Sequence, residues 1–285
     1  MKPPAVRFVK RVFRAILDVF LPPKCMICGC FRHVSDIRRE APHTGNVPNI
    51  YIINDCESVD LQNLLGKQLC VACAGRIKRI EPPICLCCGM MFNSKEGAAH
   101  LCGDCIASPK MFRMARAPVA FDQAFTDVIH FFKYKAKVQL AMPLGELMLA
   151  AFLRYWRKEH IDLVIPVPLH ADRFKKRGFN QALLPVQNWR KSANRLNLEC
   201  PSIQLERQAL VRKRPTVPQT GLGRKQRLVN IKNAFGVREP EKIEGKRILL
   251  VDDVYTTGAT ADECARVLLN HGALYIDVLT LARAI

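Results

Sequence analysis

The sequence predicts an α/β protein with a parallel, doubly wound sheet, preceded by a small cysteine-rich module of the double zinc-ribbon kind. Strand-like and helix-like runs alternate from Arg116 to the end of the chain, a pattern that calls for crossover connections and a parallel sheet. Within that half, Ile248 to Val251 is an unbroken apolar run, as expected of a strand buried on both faces. Before it, 11 of the 13 cysteines fall between Cys25 and Cys105, which sets that stretch apart by composition.

Taken in order, residues 1–24 predict a basic amphipathic helix. Val9, Val12, Phe13, Ile16, Leu17 and Phe20 recur at helical spacing, with Arg7, Lys10, Arg11 and Arg14 on the other side. Those charges interrupt the only early apolar stretch, which argues against a signal peptide, and no apolar run has the length of a membrane span. A cytoplasmic protein without a transmembrane anchor is the expectation. Residues 25–108 form the cysteine module, with an insertion at 31–69, and residues 109–285 the α/β domain. The latter predicts strands near 116–121, 162–167, 247–252 and 275–282. Helices are expected near 123–133, 138–158 and 179–196, and after residue 260 as far as the His271-Gly272 stop.

Four cysteine pairs have the two-residue spacing that lets both thiolates meet one tetrahedral metal: Cys25/Cys28, Cys70/Cys73, Cys85/Cys88 and Cys102/Cys105. Gly29 and Gly89 follow two of them, as in tight knuckles. Sequential pairing gives one Zn2+ to Cys25, Cys28, Cys70 and Cys73, and a second to Cys85, Cys88, Cys102 and Cys105. Four thiolates leave no open coordination position, so both sites are read as structural. The second set has 13 residues between its pairs and the first has 41, with His33, His43 and Cys56 inside that interval and Cys30 and Cys87 beside the knuckles. Ligand exchange or a redox role for these extra groups stays open at this point.

The formal charge is +19, and 18 Lys/Arg against 6 Asp/Glu lie between Pro166 and Lys246. A field of that sign attracts polyanions: nucleotides, pyrophosphate or nucleic acid.

The most specific segment is Arg247-Ile-Leu-Leu-Val-Asp-Asp-Val-Tyr-Thr-Thr-Gly-Ala-Thr260. An apolar strand is expected to end at Asp252 and Asp253, and Thr256, Thr257, Gly258, Ala259 and Thr260 form a small-residue turn into a helix. Backbone N–H groups at a helix start can surround a phosphate, with Thr hydroxyls as further donors and Gly258 permitting close approach. The two carboxylates can accept from vicinal sugar hydroxyls or hold Mg2+. Capping a helix needs only one acid, so a phosphorylated ribose explains more of the segment than capping does.

Two basic segments accompany it. Leu169 to Gln181 reads as a basic loop after the strand at 162–167, able to neutralise a pyrophosphate through Arg173, Lys176 and Arg177. Arg212 to Asn230, rich in Pro, Gly and Thr, reads as a lid, with Gln219, Arg224 and Arg227 its candidate diphosphate contacts. Contact with DNA is the competing reading of this second segment. The ligand belongs at the carboxyl ends of the strands. Nothing in the sequence marks a catalytic base or an acceptor pocket.

The 247–260 segment resembles the phosphoribosyl pyrophosphate (PRPP) fingerprint of type I phosphoribosyltransferases. Together with the paired cysteines, Val167-Pro-Leu-His170, Arg177-Gly-Phe-Asn-Gln181, Thr216-Val-Pro-Gln219, Gly221-Leu222, Arg227 and Asn230, the whole order is similar to the ComF family of ComFC- and GntX-like late competence proteins. The likeness runs from Leu21 to Arg283 and departs at the 31–69 insertion. It implies a zinc-finger module fused to a phosphoribosyltransferase domain, Mg2+ with PRPP, and a role in natural transformation and the handling of single-stranded DNA. Competence-machinery proteins such as a ComF-operon helicase are the implied partners. It also implies ribose contacts for Asp252 and Asp253, a 5′-phosphate at Thr256 to Thr260, and pyrophosphate near Arg177. A rival class is a non-catalytic nucleic-acid-binding adaptor that keeps the fold as a ligand sensor. Its single-strand affinity would fall steeply with salt.

Overall fold

The computed structural model describes residues 23–31, 61–94, 96–134, 137–196, 198, 203–217 and 223–285. The expected N-terminal helix and most of the insertion lie outside them. The chain divides into two compact units, residues 1–51 with 60–76 and residues 52–59 with 77–285.

In the smaller unit, Lys24 and Phe31 bridge antiparallel around the first knuckle. The knuckle closes through Cys25 N to Cys30 O and Gly29 N to Cys25 O, with Gly29 at φ 71°. Two five-residue helices, α1 (Leu61–Leu65) and α2 (Val71–Gly75), follow, and Cys70 is the N-cap of α2.

The larger unit opens with the second knuckle and α3 (Gly103–Ala107), then β1 (Ala115–Arg116) and β2 (Val119–Ala120). Helix α4 (Gln123–Tyr134) buries Phe125, Val128, Ile129 and Phe132 along one stripe, as its spacing dictates. Helix α5 (Ala141–Trp156) is apolar nearly all round, and only Met142, Arg154 and Tyr155 escape full burial, so it serves as a core helix. Each of its large side chains, such as Phe152 and Trp156, contributes on the order of 2–3 kcal/mol by leaving water. The Trp156 indole N–H donates to the fully buried carboxylate of Asp277 at 2.7 Å, and Arg113 supplies the countercharge.

The sheet then adds β3 (Leu163–Pro166), β4 (Gln204–Leu205), β7 (Arg247–Tyr255) and β8 (Tyr275–Arg283). Its order is β1-β8-β7-β3-β4, with β2 also on β8, and every pair is parallel. Ile248 to Val251 are fully buried, which explains their continuous apolar run. Asp162 fixes the register of β3 on β7 by accepting from Arg247 N at 2.8 Å.

Several elements differ from expectation. Strand β7 does not end at the acids; it pairs with β8 as far as Tyr255↔Arg283. Long-range pairing thus extends the strand past two residues whose local preference is to stop it. The basic loop at 169–181 contains a helix, α6 (Ala171–Arg177), capped by His170 at one end and left-handed Gly178 at the other. Its three terminal cations suit the negative end of the helix dipole. The helix expected over 179–196 is two short ones, α7 (Leu183–Val186) and α8 (Trp189–Arg195). The two are separated at Gln187 and Asn188, after Pro185, whose carbonyl packs on Gly145 where a Cβ would stand 2.2 Å away. The expected lid begins at the end of a separate antiparallel pair, β5 (Leu210–Arg212) with β6 (Phe235–Val237), and contains α9 (Arg224–Ile231). Helix α10 (Ala259–Leu269) follows β7.

Candidate functional site

Asp252 and Asp253 stand at the carboxyl end of β7, in the centre of the parallel sheet, where ligands of open α/β sheets collect. Asp253 is 5% exposed, and its carboxylate meets the ammonium of Lys133 from the last turn of α4 and accepts from Gln181 Nε2 at 3.4 Å. Gln181 in turn accepts from Arg177. A chain Arg177–Gln181–Asp253–Lys133 therefore crosses the site.

Asp252 is pushed up to about 6 by burial, against the pull of Lys133, Arg212 and Arg177. Burial likewise pushes the Lys133 ammonium down to about 8, with the Asp252 carboxylate opposing the shift. Arg177 and Arg212 are also lowered by burial, and each feels the charge of Arg173. Three half-buried cations thus crowd two acids, an arrangement that a ligand bearing both hydroxyls and phosphates can relieve.

On α6, Arg173 and Arg177 are one turn apart and half-buried, whereas Lys175 and Lys176 are exposed. Arg173 donates to Thr216 O at 2.8 Å, and the Arg177 guanidinium lies 5.4 Å from the ring centroid of Tyr134. Arg212 donates to Thr216 Oγ1 and stacks on Phe235. Asn230 holds Val217 by a reciprocal pair of bonds at 3.1 and 3.2 Å. The two ends of the 212–230 segment are therefore tied together. Arg227 is half-buried on α9; Arg224 is placed there by its backbone; Gln219 lies outside the described residues.

Thr256 and Thr257 are half-buried in the turn, and Gly258 opens α10 with φ 79°. A Cβ at Gly258 would lie 2.2 Å from the Tyr255 hydroxyl oxygen, so only glycine fits there. Ala259 N reaches Thr257 Oγ1 at 3.4 Å, and Asp262 N closes on Gly258 O. Helix α10 thus starts six residues after Asp253, beyond the end of β7 and the turn at 256–258.

The four sulfurs of Cys25, Cys28, Cys70 and Cys73 lie within 4.8 Å of one another, as do those of Cys85, Cys88, Cys102 and Cys105, so each set could hold a metal ion. The second set is wholly buried. Burial opposes ionisation of Cys85, but N–H groups of Cys102, Cys88 and Cys87 outweigh it and bring the thiol down to about 6, while burial raises Cys102 and Cys105. Cys30 Sγ lies 3.2 Å from Cys28 Sγ, beside the first set.

Lys133 and Tyr134 were not legible as site residues. The one signal for Lys133 is its position bordering the buried stripe of α4, where a cation needs a partner. A cavity of about 490 Å³, lined by His160, Asp162, Arg190, Gln204 and Lys246 among others, lies at the opposite, amino-terminal ends of β3, β4 and β7 and so away from these groups. No helix among the described residues is long and apolar enough to cross a membrane.

Residues 193–285 match the Phosphoribosyl transferase domain family. The chain is 31% identical over 224 residues to DNA utilization protein YhgH of Escherichia coli (strain K12), covering 76% of this chain and 91% of that protein. Competence protein F of Haemophilus influenzae is 30% identical over 76% of this chain and 90% of its own length. For competence protein ComFC of Bacillus subtilis the identity is 27%, over 76% and 85%. With the parallel sheet, the paired acids on its central strand and both tetracysteine clusters in place, the chain belongs to the ComF family of phosphoribosyltransferase-like proteins.

Proposed function

We propose that the chain binds PRPP at the carboxyl end of β7 and acts, as a phosphoribosyltransferase-like protein, in the handling of DNA taken up by the cell. The observation that carries the ligand is the paired acids, faced by Lys133, Arg177 and Arg212, immediately before a Thr/Gly helix start. Asp252 and Asp253 accept from the ribose hydroxyls, and the N–H groups and hydroxyls of Thr256 to Thr260 receive the 5′-phosphate. Arg173, Lys176 and Arg177 meet the pyrophosphate, with Gln219, Arg224 and Arg227 approaching from the 212–230 segment.

Transfer then needs little from the protein beyond placement and charge. An acceptor lone pair forms a bond to ribose C1 while the bond from C1 to the pyrophosphate oxygen breaks, and its electron pair departs with pyrophosphate. The cations of α6 and Arg212 stabilise the charge that develops on that leaving group. Mg2+, when bound, supplies further neutralisation of the diphosphate. Zn2+ in the two tetracysteine clusters serves the fold, since four sulfurs complete its coordination. The DNA role rests on the names of the relatives, and the +19 charge suits single-stranded DNA as a partner.

Isothermal titration with Mg2+ and PRPP tests this reading. The parent should bind and Asp252→Asn/Asp253→Asn should not; a parent without binding, or a variant that binds as well as the parent, sinks it. A pyrophosphate-release screen across acceptors, single-stranded DNA included, then identifies what attacks.

A further inference from the structure

The second tetracysteine cluster is joined to the loop at 256–260 by two separate struts. The first runs through Arg283, at the end of β8 and 6% exposed. Its Nε donates to Cys88 O at 2.7 Å and its Nη2 to Cys88 Sγ at 3.0 Å. The same guanidinium lies 5.1 Å from the ring centroid of Tyr255, and Ala284 N donates to Tyr255 O at 2.8 Å. Tyr255 is the last residue of β7, and its hydroxyl end fills the space over Gly258, the left-handed residue from which α10 starts. The second strut is Met111 N, four residues beyond α3, which donates to Asp262 Oδ1 at 2.7 Å in the first turn of α10. Cys85, Cys88, Cys102 and Cys105 share one core with Phe112, Tyr255, Ala259 and Cys264.

This arrangement exceeds what a detached metal module would need. A divalent ion with four thiolates carries a net charge of about −2, and in a buried position that charge calls for a fixed cation. Arg116 lies on the Cys85, Leu86 and Cys87 carbonyls, and Arg283 is the cation that touches a cluster sulfur: its planar fork engages sulfur and carbonyl of Cys88, which fixes the plane that lies on Tyr255. The ring in turn leaves Gly258 no freedom to move inward.

We infer that Arg283 and Tyr255 are positioning residues that couple the Cys85/Cys88/Cys102/Cys105 cluster to the 256–260 loop, so that a metal ion in the cluster sets the loop's grip on its phosphate ligand. The ligand half of this statement rests on the PRPP reading above; the coupling does not.

The test compares the parent with Arg283→Met and Tyr255→Leu, each assayed for zinc content, for hydrogen exchange of peptides covering 254–262, and for PRPP affinity in Mg2+. Both variants are expected to exchange faster at 254–262 and to bind PRPP about tenfold more weakly, a loss of roughly 1.4 kcal/mol. Peptides from α5 should keep the parental rate. Removing the metal from the parent should reproduce the faster exchange at 254–262. If Arg283→Met also loses its zinc, Tyr255→Leu, which leaves all four cysteines in place, decides. Parental exchange at 254–262 in a zinc-loaded Tyr255→Leu, or no change there on metal removal, overturns the coupling. A parent that binds no PRPP yet shows the exchange differences overturns the ligand reading and leaves the coupling standing.

Discussion

The ammonium of Lys133, at the end of one helix, lies against the carboxylate of Asp253, 120 positions later on the central strand, and both are withdrawn from solvent. The pair spans the site and is the only ion pair among the described residues that involves either paired acid. Lys133→Met removes the cation and leaves Asp253 buried without it. Breaking a buried pair in this way costs about 3–5 kcal/mol, so a clear fall in the urea midpoint is expected. Lys133→Met/Asp253→Asn should recover much of that loss. A single variant as stable as the parent would show that the pair carries no weight.

Asp252 gives a pH dependence with a defined sign. An acid whose pKa is raised on folding favours the folded state in its protonated form. That contribution is complete below about pH 4 and is lost as pH rises through about 6. Lys133, lowered to about 8, contributes stability that is present above about pH 10.5 and lost as pH falls through 8. Asp252→Asn should therefore melt higher than the parent at pH 7.5 and close to it near pH 4, while PRPP binding is lost. Thermal melts from pH 4 to 9 check the first part, and titration calorimetry the second. In the parent, PRPP affinity should rise between pH 5 and 7 as the carboxylate ionises.

Gly258→Ala meets two obstacles at once, a positive φ and the Tyr255 hydroxyl 2.2 Å from the new Cβ. Backbone strain of this kind costs about 1–3 kcal/mol before the clash is counted. A lower Tm and at least a tenfold loss of PRPP affinity are expected, read by calorimetry.

The two cysteine clusters should respond separately. Cys28→Ser and Cys102→Ser are each expected to lower zinc content from two ions per chain to one, measured by metal analysis of the purified protein. Only Cys102→Ser removes a sulfur from the core shared with Tyr255 and Ala259, so only it should lower the melting temperature of the larger unit. Equal melting for both variants would argue against that distinction.

The sequence by itself determined what is encoded in short spans. Two-residue cysteine spacing names two sets of sulfurs that the fold brings together, and an apolar run names a buried strand, because each signal is carried by neighbouring backbone; the two acids before the Thr/Gly turn are the signal on which the ribose-phosphate proposal rests. Tertiary structure alone decided what depends on distant pairing. Strand β7 runs on to Tyr255 because β8 offers partners there, and the span expected as one helix at 179–196 divides at Gln187 and Asn188. Lys133 becomes a site residue only when α4 is laid beside Asp253, and Arg283 becomes the countercharge of Cys88 across 195 positions. Charge pairing and packing act through space, with no periodicity along the chain to announce them.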